Sequence, residues 1–151
     1  MQNYYPEGKL IERQDNISSI ISLEALKHSM LMGKILEAKA IICDNEHNLI
    51  VELPCCRGII PRCEGAIGIS DGSTKDIALL ARVNKPVCFK VTDVHDDGTV
   101  LLSRRLAQEE CMKNYIMNLV PGQVIKAKVT HNEQFGSFVD VGCGISSLIT
   151  I

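Results

Sequence analysis

Phe135-Gly136-Ser137-Phe138 sets two aromatic rings either side of a Gly-Ser pair, in a chain with only three Phe, three Tyr and no Trp. An exposed aromatic ring can stack on another flat π-system, whereas a buried one only fills space. In a regular strand, residues three apart point to opposite faces. A glycine inside a strand often marks a bulge, and a bulge re-aims its neighbours. A bulge at Gly136 is therefore expected to bring Phe135 and Phe138 into one aromatic platform, the alternative being two core residues. Just upstream, Lys126 and Lys128 alternate with Ile125, Ala127 and Val129. In a strand the two ammonium groups share a face, as a contact for an anion or simply a solvated surface.

Other chemistry is thinly represented. Seven cysteines, an odd number, lie mostly in apolar surroundings, such as Cys43 after Ile41-Ile42 and Cys88 beside Phe89. Cysteine is among the most buried residue types, so structural free thiols are expected. Cys55-Cys56 with Cys63 lacks the second spaced pair or histidine group that would complete a zinc site. No metal and no cofactor are expected. His28, His47, His95 and His131 have no nucleophile motif around them, and no phosphate-binding loop occurs. Asp96-Asp97 precedes a glycine, where turn geometry explains the carboxylates. The expectation is a non-enzymatic protein.

Composition narrows the class. An apolar fraction of 46% with 23% charged residues is ordinary for a globular chain. No apolar run reaches the length of a membrane span, and the first residues carry no signal-peptide core. A cytoplasmic protein with no membrane partner is expected. The net charge of −2 argues against strong, purely electrostatic nucleic-acid binding.

The elements that must hold the aromatic pair are short strands. Pro121-Gly122 is a turn signal, followed by β-rich runs over 124–130, 135–141 and 145–151, separated by a polar break at 131–134 and by Gly142 to Gly144. The same pattern occurs earlier. Gly33-Lys-Ile-Leu-Glu-Ala-Lys-Ala40 aligns with Gly122-Gln-Val-Ile-Lys-Ala-Lys-Val129, Asn48 to Leu53 with Gly136 to Val141, and Gly58-Ile-Ile60 with Ser147-Leu-Ile149. The separation is constant to within one residue, so two copies of one unit are expected.

The first copy continues. Ser73, with Asp76 three residues on, is expected to cap a short helix carrying Ile77, Leu80 and Ala81. Val87 to Val94 is a fourth strand, Asp96-Asp97-Gly98 a hairpin turn and Thr99 to Leu102 a fifth. Five strands in this span fit an OB-type Greek-key barrel. The expected fold is all-β with accessory helices. It comprises a polar tail and a helix over 1–32, the helix capped by Ser22 and stopped by Gly33. A five-stranded barrel covers 33–103, and a linking helix with Leu106, Met112, Tyr115, Ile116 and Leu119 on one side covers 104–119. The first three strands of a second, truncated barrel cover 120–151.

The second copy resembles the S-one RNA-binding domain family of ribosomal and RNA-processing proteins. Gly122 to Val129 follows the family's opening strand with Ala127 in place of a glycine, and Phe135 to Gly142 matches its Phe-Gly-Ala-Phe-Val-Asp-Leu-Gly segment closely. In the third strand Ser147 stands for a glycine and Thr150 for a histidine. Leu101-Leu-Ser-Arg-Arg105 resembles the family's last strand. The resemblance implies single-stranded RNA (mRNA or rRNA) held on one barrel face by Phe135, Phe138 and the Thr150 position, with Lys126 and Lys128 near phosphate. It also implies a place in translation or RNA metabolism, with the ribosome or another protein as a further partner. In the first copy His47 and Ile50 replace the Phe pair, Pro61 the histidine, and His95 and Thr99 an Asp and Arg near the last hairpin. That copy is expected to be degenerate. Two other readings stay open: an S-one-like scaffold for protein–protein contact with little RNA affinity, and the accessory part of a larger RNA-processing enzyme.

Overall fold

A computed structural model describes residues 3–151. Strands β1 (Leu36–Cys43), β2 (Leu49–Glu52), β3 (Arg57–Ile60), β4 (Pro86–Val94) and β5 (Val100–Ser103) close into a barrel in the order β1-β2-β3-β5-β4. This order, with one parallel pairing between β3 and β5, fits an OB-like all-β barrel. Closure follows from alternation: Leu36, Ala38 and Ala40 of β1, Leu49 and Val51 of β2, Val87, Phe89 and Val91 of β4, and Val100 and Leu102 of β5 all face inward and are buried. Phe89 fills the centre with no exposed surface. At about 25 cal/mol per Å² of apolar area, each buried Val, Leu or Phe side chain contributes on the order of 1.5–3 kcal/mol.

Helices cover the barrel. Helix α2 (Leu23–Met32) starts where the Ser22 hydroxyl accepts the Ala25 amide, ends at a left-handed Gly33, and buries Leu26 in the core. Both ends lie where the sequence puts them. Helix α1 (Gln14–Ile20) begins at the end of the polar tail, which reads as residues 1–15, and fills a stretch where no element is expected. Asn16 docks it, its amide donating to the Glu37 carbonyl while its side-chain oxygen accepts the Glu37 amide.

Helix α3 (Ile77–Leu80) occurs as expected, but Ser73 does not cap it. The Ser73 hydroxyl instead donates to Asp71, closing the preceding loop. Helix α4 (Arg104–Asn114) is capped by the Ser103 hydroxyl, which accepts the Leu106 amide. It is shorter than the expected linking helix, and a 3-10 turn over Ile116–Asn118 follows. Its buried face is Arg104, Ala107, Gln108 and Cys111 rather than the Leu106–Met112 side. Polar side chains turn inward there because each finds a specific partner.

A second, three-stranded sheet follows: β6 (Lys128–Glu133), β7 (Gly136–Gly142) and β8 (Ile145–Thr150), in that order. Residues 124–127, expected to open the first strand, lie outside it, and β6 runs on through His131, where a polar break is expected. The register of this sheet matches that of β1-β2-β3 pair for pair. Lys128 faces Asp140 as Lys39 faces Glu52, and Phe138 faces Leu148 as Ile50 faces Ile59. The bulge between Val129 and His131 sits where β1 has one between Ala40 and Ile42.

The residues before α1 join the two sheets. Glu7 is buried and forms a two-pronged ion pair with Arg104, at 2.6 and 2.8 Å. Its carboxylate also accepts the Cys88 amide of β4, while its own amide donates to Asp140 of β7. Burial pushes the Glu7 carboxyl up, but the Arg104 guanidinium outweighs it and holds the group down at about 2. Gln108 adds a second bridge, accepting from the Ile67 amide and donating to the Cys143 carbonyl. Gly144 closes the joint: its φ of +75° favours glycine, and a Cβ there would overlap both Arg104 and Glu7.

Glu37 behaves in the opposite sense. Burial dominates and pushes its carboxyl up to about 7, although the Gly8 and Leu10 amides donate to it. The folded value lies above the unfolded value of 4.5, so its contribution to stability is present below pH 4.5 and lost as pH rises through 7. Glu37→Gln keeps an acceptor for both amides. Urea unfolding of the parent should lose on the order of 2 kcal/mol between pH 4.5 and 8, and the variant should lose most of that dependence. Parallel pH profiles for the two would refute the assignment.

Candidate nucleic-acid interface

The β6–β7 hairpin turns at Gln134-Phe135, which places Phe135 in the turn rather than in a strand. Gly136 is not a bulge, since it pairs in register with Glu133 and with Thr150. Its lack of a side chain serves another purpose: a Cβ there would overlap the Ile149 carbonyl of β8, so glycine lets β8 approach closely. The Ile151 amide then donates to the Phe135 carbonyl at 3.1 Å, fixing the turn against the third strand.

The two Phe rings do come together. Their centroids are 6.1 Å apart with the planes at 89°, an edge-to-face contact. Phe135 is 56% exposed, whereas Phe138 is half-buried. A turn residue folding back over its own strand achieves what a bulge was expected to do. The physical route differs; the platform is the same.

Sequence reasoning passed over one member. His131 pairs across the bulge with Phe138, and the two rings lie 6.3 Å apart at 25°, nearly parallel. The imidazole also contacts the Glu133 carboxylate. The bulge between Val129 and His131 sets this pairing, and β1 has a matching irregularity between Ala40 and Ile42. His131, Phe138 and Phe135 thus form one continuous aromatic surface about three rings long.

The remaining expected site residues are placed unequally. Thr150 pairs with Gly136, on the same sheet face as Phe138 and two pairs along, and it is exposed. Its hydroxyl is therefore within the same surface. Lys128 opens β6 at the far end of that face, its ammonium close to Gly8. Lys126 is exposed but precedes the strand, so the alternation expected to align the two lysines does not operate. The structure brings Phe135, Phe138 and Thr150 together, adds His131, and leaves Lys126 and Lys128 at the margin.

In the first barrel the positions equivalent to His131, Phe138 and Phe135 hold Ile42, Ile50 and His47. No aromatic stack forms there. The nearby Arg62 guanidinium is already engaged with Asp76, at 2.9 Å, and the His47 imidazole lies 3.3 Å from the same carboxylate.

Among the described residues no group of three or more His, Cys, Asp or Glu is arranged to hold a metal ion. The seven cysteines are free thiols. The expectation of apolar surroundings holds for Cys88, Cys111 and Cys143, which pack together with Ala107 of α4, but Cys55 in the β2–β3 turn and Cys63 in a 3-10 turn are exposed. Among the described residues no helix is long and apolar enough to cross a membrane. No family model matches the chain, and no curated protein matches it.

Proposed function

We propose that this protein is a non-enzymatic, cytoplasmic binder of single-stranded RNA of the S-one type, which grips bases on the second sheet while the first barrel supports that sheet. The carrying observation is the His131–Phe138–Phe135 surface, solvent-facing on an antiparallel sheet and flanked by the Thr150 hydroxyl. Every base has a π-face, so stacked rings hold single strands with little sequence preference. Paired bases in a duplex hide those faces. The matched register of β6-β7-β8 and β1-β2-β3 supports reading the second sheet as three strands of a repeated unit. Translation or RNA metabolism is the setting this chemistry suits.

The test is fluorescence anisotropy with an unstructured oligoribonucleotide and a duplex of the same length, across a salt series. The single strand should bind and the duplex should bind at least tenfold more weakly. With a net charge of −2 and the lysines at the margin, few phosphates are neutralised. At about −0.7 per phosphate contact, the slope of log K against log salt should fall between roughly −1 and −3. A steep slope, or equal affinity for duplex, would contradict base stacking as the source of binding. No RNA binding at all would favour the scaffold reading, for which the occupied Arg62 and missing aromatics of the first barrel already speak.

A further inference from the structure

We propose that Cys55 and Cys56, at the tip of the β2–β3 hairpin, form a two-thiol chelating site for one soft, thiophilic metalloid or metal centre. Their sulfurs lie 3.6 Å apart, Cys55 Sγ donating to Cys56 Sγ. Two thiolates bound at about 2.3 Å to one near-tetrahedral centre are separated by roughly 3.8 Å. The pair therefore holds chelating geometry with little movement.

A disulfide fits these neighbours poorly. It needs sulfurs about 2.05 Å apart and usually α-carbons 4.4–6.8 Å apart, whereas adjacent residues across a trans peptide are held at about 3.8 Å. The backbone of the tip is also set in advance. Pro54 restricts its own φ, and the Leu53 amide donates to the Cys56 carbonyl at 3.0 Å. Cys56 packs against the barrel core while Cys55 is exposed, so one sulfur is anchored and the other open to an incoming ligand.

The other thiols do not offer this. Cys88, Cys111 and Cys143 are buried together, Cys43 is partly buried against the barrel core at the end of β1, and Cys63 is exposed on a separate 3-10 turn. Two sulfurs suit a centre that asks for only two, unlike a four-ligand structural zinc. A monosubstituted trivalent arsenical is the simplest such centre. With an arsenoxide, two S–H bonds and the As=O bond are replaced by two As–S bonds and one water. Arsenic stays trivalent and neither sulfur is oxidised.

The probe is phenylarsine oxide, added to the folded chain in excess monothiol and read by intact mass and thiol titration. One adduct should form, protecting two thiols, and a small dithiol should remove it. Cys55→Ser and Cys56→Ser should each weaken binding by roughly a hundredfold, the loss expected when a second tethered contact is removed. Cys63→Ser should leave binding unchanged. An adduct that survives both substitutions, or that requires Cys63, would overturn the assignment. So would ready conversion of the pair by oxidised glutathione to an intramolecular disulfide, seen as the loss of two hydrogens.

Discussion

Arg104→Ala should destabilise the folded chain by about 3–5 kcal/mol at pH 7, the range for removing one partner from a buried ion pair. The cost arises because Glu7 would remain buried and ionised, left with the Cys88 amide and a 3.5 Å contact to Arg82. Arg104 itself also loses its donation to the Gly65 carbonyl. Glu7→Gln should cost less, since an amide carries no charge to strand. The pair Glu7→Gln with Arg104→Met should recover part of the loss, because neither charge then lacks its partner.

The sign with pH is fixed by the same contact. Glu7 lies well below its unfolded value of 4.5, so its contribution is present above pH 4.5 and lost as pH falls through about 2. Urea unfolding at pH 7 measures the first effect directly. A loss under 1 kcal/mol for Arg104→Ala would mean that water reaches the pair. Hydrogen exchange supplies an independent reading. Glu7 and Asp140 tie β7 to the barrel, so the Gly142 and Gly144 amides, which donate to Asp140, should lose protection in the variant.

That joint was not legible in the sequence. Glu7 stands in a polar stretch with Pro6 and Gly8, where composition alone suggests a tail, and its partner is 97 residues away. Patterns of local period cannot report such a pairing. The barrel, by contrast, was legible because each strand alternates and each turn is marked: the Asp96–Gly98 hairpin closes with the His95 amide donating to Thr99 at 2.8 Å. The helix cap at Ser22 was legible for the same local reason. Ser73 was not, because Asp71 competes for its hydroxyl.

The aromatic site shows both outcomes in one hairpin. Phe135 and Phe138 were identifiable from type and spacing, yet the residue that joins them is a turn rather than a bulge at Gly136. His131 escaped because it falls in a polar segment whose strand character comes from pairing with β7 and not from its own sequence. The three Phe make the general point. Phe89 is fully enclosed in the barrel while Phe135 is mostly exposed, and only the fold distinguishes the two uses of one side chain.

The central claim is that the rings on the second sheet hold RNA bases. Phe135→Ala with Phe138→Ala removes two of the three rings from a surface where only Phe138 is partly buried. Base stacking is worth about 1–3 kcal/mol per ring, so affinity for an unstructured oligoribonucleotide should fall at least tenfold, and further if both rings stack fully. His131→Ala should give a smaller loss in the same direction. Ile50→Ala and His47→Ala, at the equivalent positions of the first barrel, should change little. The deciding measurement is the anisotropy titration of the Phe double variant beside the parent at one salt concentration, with folding confirmed by circular dichroism. A loss of tenfold or more with the fold intact is the predicted result; a folded variant that binds RNA as tightly as the parent would contradict the account.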